Sequence, residues 1–517
     1  MFLPRKNILI LSKILLITAF GYFFWLMLKI TLEYIPLKSD VSFLMIKQTE
    51  VSERPEYLYF FYTHVYTSIF VLLSGFLAIL RKDFGVRNFH KNAGKIYIFL
   101  ILLFAAPSGV YMGIFANGDF FSKLSFVILG CLWWFSTYKA FNLAQQKKFK
   151  QHKQWMWRSF ALTLSAITLR IWKVIIVYLF HPNPMDVYQI IAWLGWVPNL
   201  LLIEYLISKK TPMKILKVLF ICLFTMSLVA CKKDTKTTDS SNDTLSAKKD
   251  SVVVPEIHKE YYGIYMGDFA GKGMIATEIG EPYEDIVYKK ISIKINRITR
   301  DSVYGQSIVD GNQRPFRGVF NEAAQSFVLD EPGNEKTDGR FEIKLKNDSI
   351  TGKWTAFNKS ALKTSVKTLK LIKKEFVYNP NFMLDKNSDL IDWENPKDFV
   401  EKYTDEETGK TETYISSKNR VASDAVFSIN ASTKRLTEKD VKNLRKLDME
   451  IIKNAVFARH GYAFKKQTYR SFFEQTDWYI PISNNVDNEL SPLEKDNVAL
   501  LNRFIKYAED KYDEFGR

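Results

Sequence analysis

Cysteine is scarce in this chain: three in 517 residues, at Cys131, Cys222 and Cys231. None follows Cys231, which excludes a disulfide or a cysteine-ligated metal from the C-terminal part. Histidine is scarce too, with six in all and only His258 and His460 beyond Cys231, so nothing there suggests a metal or triad site. Acids are outnumbered, 55 against 72 Lys and Arg, for a net charge of +17. No basic run with interleaved aromatics occurs outside the loops that flank apolar runs, so no nucleic acid is expected as a partner. The stretch "KKDTKTTDSSNDTLSAKKDS" has no aromatic residue and cannot bury a core, so 232–255 reads as a flexible tether.

Long apolar runs are plentiful in the first half. They fall at 8–30, 58–80, 96–116, 123–144, 159–180 and 187–207, each near the about 20 residues that cross a bilayer. Basic residues cluster in alternate connections: Arg5, Lys6 and Lys13; Arg81, Lys82, Arg87, Lys91 and Lys95; Lys147, Lys148, Lys150, Lys153 and Arg158; Lys209 and Lys210. The other connections hold acids such as Glu50, Glu53 and Glu56, "ANGD" and "HPNPMD". Positive residues stay inside, so residues 1–210 read as six membrane helices in a bacterial inner membrane, N-terminus cytoplasmic, with the lipid bilayer as first partner.

Charge within the slab is costly, which makes intramembrane polar residues the candidates for function. Arg170 lies well into the fifth run, roughly 16 Å deep at about 1.5 Å per residue. Lys173 shares its face, and no acid lies at that depth. Arg170 either bonds backbone carbonyls, with Lys173 snorkelling, or grips a ligand. His64 sits in the outer third of the second run and His181 at the outer end of the fifth; His90 and His152 precede the third and fifth runs. Paired histidines suggest haem, but axial ligands must meet at one depth, and here only His64 lies within a run. No cofactor is therefore assigned; haem or quinone belongs to the alternative reading.

"HKNAGKIY" at 90–97 and "HKQWMWRSFALTLSAITLR" at 152–170 resemble signature blocks of a bacterial polytopic membrane family of unknown function, DUF2306. The resemblance covers about 60–180. It implies a topology, no established activity, and His64, His90, His152, Arg158 and Arg170 as residues to test first.

A seventh run, in "MKILKVLFICLFTMSLVACKKD" from Met213, has a basic start, a short apolar core and Leu228-Val229-Ala230-Cys231. That pattern is a lipoprotein leader, with Cys231 as the lipidated residue, placed in mid-chain. Either 213–231 is the leader of an originally separate protein joined to its neighbour, or it is a seventh membrane helix. Both send the following residues outward.

From 256 to 378 short alternating runs such as "KKISIKINRI" and "GRFEIKL", with the hairpin signal Asp310-Gly311, read as an antiparallel β barrel or sandwich. Glu322, Asp330, Glu331 and Glu335 read as solvated loop acids. A linker over 379–433 precedes a helical segment, 434–515. There Thr437-Glu438-Lys439-Asp440 and Ser491-Pro492-Leu493-Glu494 mark helix starts.

"NAVFARHGYAF", "FFEQTDWYIP" and "LSPLEKDNVALL" resemble the YARHG domain of exported lipoproteins, with Phe457 in place of tyrosine. The resemblance implies a binding role without catalysis. Gly461 suits a helix end, and Arg459 and His460 suit the negative end of the helix dipole. Asn454, Arg459, His460, Gly461, Asp477, Trp478 and Tyr479 either form a pocket for a sugar, peptide or anion or staple the turn between helices. The expected fold is therefore multidomain: a membrane helical bundle, an exported all-β domain and a small all-α module. The expected function is a non-enzymatic cell-envelope protein whose YARHG segment binds an envelope polymer or protein. The alternative is a membrane redox or transport protein holding haem, quinone or a small anion. No nucleophile–base pair argues for hydrolysis.

Overall fold

A computed structural model of the chain describes residues 5–79, 89–208, 256–275, 283–362, 364–405 and 409–511. The leader-like run, Cys231 and the tether lie outside the described residues. Two compact units result, one built on the N-terminal helices and one on the barrel and most of the C-terminal helices.

The first unit comprises α1 (Arg5–Leu32), α2 (Gln48–Glu53), α3 (Glu56–Ile79), α4 (Phe89–Leu100), α5 (Ala106–Ile114), α6 (Phe120–Gln145), α7 (Phe149–Thr163), α8 (Ser165–Phe180), α9 (Pro184–Leu194) and α10 (Val197–Ser208). Among the described residues four helical stretches are long and apolar enough to cross a membrane, or five if the bent pair α7–α8 is one span. Ile17–Leu32 is a shorter apolar helix.

Two irregularities shape the bundle. A π-helical turn, Ile101–Ala105, joins α4 to α5. Pro107, just beyond it, has no N–H to continue the ladder, and an inserted residue absorbs the mismatch. The fifth run is not the straight 159–180 helix expected from its apolarity. Its helix begins at Phe149 and bends by 42° at Leu164. The hydroxyls of Thr163 and Thr168 each bond a carbonyl one turn back, at Ser159 and Leu164 (3.1 Å each), a habit that bends helices.

Phe20, Phe76, Tyr97, Phe160, Ile167 and Ile203 are buried in the centre, with the Phe20 and Phe76 rings stacked at 3.5 Å. Trp25, Phe70, Ile96, Leu103, Phe135 and Leu201 face outward. An apolar exterior of this kind suits contact with lipid.

In the second unit eight antiparallel strands follow one another and close: β1 (Gly263–Ile275), β2 (Tyr283–Ile298), β3 (Val303–Val309), β4 (Asn312–Asn321), β5 (Ser326–Asp330), β6 (Gly339–Lys346), β7 (Ser349–Ala356) and β8 (Val366–Lys374). β8 pairs back onto β1, so the domain is a barrel and not a sandwich. Alternation along "GRFEIKLK" puts Phe341, Ile343 and Leu345 inside with Phe269, Phe327 and Trp354. Asp310 and Gly311, both at positive φ, make the β3–β4 turn.

Glu331 departs from the expectation of solvated loop acids. It is buried and accepts hydrogen bonds from Ser307 Oγ (2.8 Å), Gly339 N (2.9 Å) and Trp354 Nε1 (3.1 Å). Burial pushes its carboxyl up.

The stretch 379–433, read as a linker, carries a two-stranded hairpin, β9 (Ile391–Thr404) with β10 (Thr411–Val421). Its charged, polar composition hides the alternation that marks a strand. Beyond it come α11 (Lys446–Arg459), α12 (Gln467–Phe473) and α13 (Pro492–Lys511). The barrel packs on this region: Gln306 Nε2 donates to Ile482 O (2.8 Å) and Arg470 Nη1 to Asp310 O (3.3 Å).

Candidate functional site

A cavity of about 330 Å³ opens within the helical unit. Apolar and aromatic side chains from α1, α3, α5 and α6 form most of its wall, including Met27, Phe61, Leu72, Met112, Phe126 and Trp133. Into this wall the fold sets a few polar groups: His64 and Ser68 on α3, Asn117 in the turn before α6, Thr163 at the end of α7 and Arg170 on α8. A mostly apolar pocket with few convergent polar groups is the usual form of a small-molecule site.

His64 is held by its surroundings. Its Nδ1 lies 2.9 Å from the carbonyl of Ala105, the last residue of the π turn. A Cβ at residue 109 would stand 2.9 Å from the His64 ring, so Gly109 is what lets the imidazole lie against α5. Arg170 Nη1 donates to Ala166 O (2.5 Å), one turn back. Asn117 is only 1% exposed, yet neither its amide nitrogen nor its amide oxygen has a hydrogen-bond partner among the described residues. Ser68 Oγ is likewise unpartnered there. Buried polar atoms cost free energy when unpaired.

The fold thus brings together two of the six membrane residues singled out from sequence, His64 and Arg170. Lys173 is buried outside the cavity wall. Arg158 pairs with Glu204, Nη2 to Oε2 2.8 Å, and lies over the Trp155 ring. His90 and His152 stand apart from the cavity, in the first turns of α4 and α7, each with Nδ1 on an alanine carbonyl. Sequence reasoning missed Ser68 and Asn117. Serine inside an apolar run is commonplace, and "ANGD" reads as an ordinary turn. Among the described residues no group of three or more His, Cys, Asp or Glu is placed to hold a metal ion.

The C-terminal motif residues are engaged internally. Arg459, 2% exposed at the end of α11, donates from Nε to Phe382 O (2.6 Å) and from Nη1 to Ser432 Oγ (3.0 Å). Burial lowers its guanidinium to about 10. His460 Nε2 meets Glu494 Oε2 at 3.0 Å and its ring stacks on Tyr378 at 4.3 Å. Gly461 takes φ +74°, where a side chain would also strike Ile482 and Phe376. Asn454 Nδ2 donates to Glu450 O, Trp478 Nε1 to Met383 O and Tyr479 Oη to Tyr462 O, each at 2.8 Å. Asp477 is exposed. Of the two readings the sequence leaves open, this geometry favours the staple: the side chains tie the turn between helices to the preceding segment 378–432.

Comparison with known proteins gives two matches at different places in the chain. No curated protein and no solved structure matches. Residues 61–207 match the family described as predicted membrane protein (DUF2306), extending the resemblance seen over 60–180 to the end of α10. Residues 425–505 match the YARHG domain, and the closed barrel before them lies in neither match.

Proposed function

We propose that this chain is an inner-membrane protein of the bacterial cell envelope whose helical unit binds a small ligand with an apolar body and oxygen acceptors, of which a quinone is the simplest kind. The cavity carries the reading. Its walls suit a ring or chain, while Arg170, Asn117 and Ser68 offer donors to carbonyl oxygens. In this reading α1, α3, α4–α5, α6, α7–α8 and α9–α10 make six crossings, N-terminus inside. Residues after Cys231 stand on the far side, on a lipid anchor or a seventh helix. The barrel and YARHG segment then face the envelope, where an exposed surface and not the buried Arg459–His460 staple contacts a polymer or protein.

The test is titration of the purified full-length chain with decylubiquinone. Saturable binding in the wild type, weakened at least tenfold by Arg170→Gln and by Asn117→Leu, supports the reading. Binding indifferent to both substitutions removes it. Reporter fusions near residues 85, 150 and 300 test the topology separately.

A further inference from the structure

The wall of the cavity is not equally suited to every oxygen, and His64 makes the difference. An uncharged imidazole has one N–H and one bare nitrogen, and which is which follows from the partners. His64 Nδ1 lies 2.9 Å from Ala105 O. A carbonyl can only accept, so Nδ1 carries the proton and Nε2 is the bare nitrogen.

Packing keeps the ring in this sense. Its Nδ1–Cε1 edge lies on α5, where a Cβ at residue 109 would stand 2.9 Å from Cε1 and 3.1 Å from Nδ1 but 4.0 Å from Nε2. Turning the ring over would put carbon in place of Nδ1 and break the bond to Ala105. Nε2 is thus the ring nitrogen held off α5, on a residue that lines the cavity. Among the described residues no group donates to it.

Ser68 follows His64 by one turn of α3, on the same side of the helix. It lines the same cavity, and its hydroxyl has no partner among the described residues. A bare nitrogen and a hydroxyl one turn apart are the complement of a ligand O–H, which gives its proton to Nε2 and receives one from Ser68. A carbonyl oxygen in that place gains only the Ser68 bond, and its lone pairs face the lone pair of Nε2. The other polar groups do not discriminate in this way. Arg170 offers donors, and the Asn117 amide offers both a donor and an acceptor, so a second ligand oxygen is received there as carbonyl or as hydroxyl.

We propose that His64 makes the cavity select the hydroquinone form of its ligand over the quinone. The selection rests on the quinone-class reading of the cavity and adds to it a preference between the two redox forms. It is a matter of binding alone: the ligand hydroxyl keeps its proton in the hydrogen bond to Nε2, and no electron moves. His64 sets specificity here through one acceptor atom, which the bond to Ala105 and the space left by Gly109 hold in place.

The full-length chain, purified in detergent, is titrated under argon with decylubiquinol and, in parallel, with decylubiquinone. Wild type binds the quinol about tenfold tighter, the difference between a buried acceptor met and one left unmet. His64→Phe keeps a ring of similar size without the acceptor and brings the two affinities together, chiefly by weakening the quinol. His64→Gln, whose amide can donate, shifts the preference toward the quinone. Ser68→Ala weakens both forms and leaves the preference standing. Circular dichroism verifies helix content in every variant. Equal wild-type affinity for the two forms, or a preference that survives His64→Phe in a folded protein, overturns the selection and leaves the cavity reading intact. A folded wild type that binds neither form removes the cavity reading and the selection with it.

Discussion

Glu494 receives His460 Nε2 at 3.0 Å and the Ser491 backbone N–H at 2.9 Å on the same carboxylate oxygen. One buried acid thus caps α13 and anchors the residue before Gly461 at the end of α11. Ser491 Oγ accepts in return from the Glu494 N–H (3.2 Å), completing the capping box. Glu494→Ala should destabilise this region by about 3 kcal/mol, since it strands a buried imidazole and an uncapped helix start. Hydrogen exchange of peptides within 446–511, measured in the full-length chain, reads this directly. Unchanged protection would show that the pair contributes nothing.

The same carboxylate gives an acid dependence. Burial works to raise it, but bonds from His460, Ser432 and the Ser491 N–H, with the His460 charge, hold it down to about 2, against an ordinary value of 4.5. Its charged form therefore contributes fully above about pH 4.5, on the order of 3 kcal/mol. That contribution falls as pH drops below 4.5 and is lost below about pH 2. Glu494→Gln should flatten the change in protection over that window, and a profile identical to wild type would refute the linkage.

Gly311 tests the contact between the barrel and the C-terminal helices. It has φ +73°, and an added Cβ would lie 2.3 Å from Phe464 O. Gly311→Ala should cost at least about 2 kcal/mol through backbone strain and collision. The loss should appear as faster exchange in β3, β4 and the 462–470 segment together.

At the cavity, Gly109→Val drives a side chain into the His64 ring. Quinone affinity should fall about tenfold while circular dichroism stays that of a folded bundle. If affinity holds, His64 is not part of the ligand site.

Much of this architecture was legible in the sequence. Apolar length marked most of the helices because the bilayer requires about 20 residues, and strict alternation at Phe341, Ile343 and Leu345 marked a barrel strand. Asp310-Gly311 and Ser491-Pro492 located a turn and a helix start through local chemistry alone. The bend at Leu164 was hidden, because hydroxyl bonds back to the helix leave no change in hydropathy. Hairpin β9–β10 was hidden because exposed strands carry no apolar period. Glu331 misled for the opposite reason: its partners Ser307 and Trp354 come from other strands, and only barrel closure assembles them. His64 and Arg170 stood out as costly groups in an apolar run, whereas Asn117 became notable only once its burial was known.

Closure of the barrel through β1 and β8 also sets an order of events for the emerging chain. Gly267 must find Leu371, so the first strand waits, half-paired with β2, until the last has been synthesised. Local hairpins can form at once, but the seam that hides the edges of β1 and β8 is a long-range contact and forms last. A chain stalled or truncated before β8 begins at Val366 leaves the edge of β1 open, and edge-to-edge association is its natural fate.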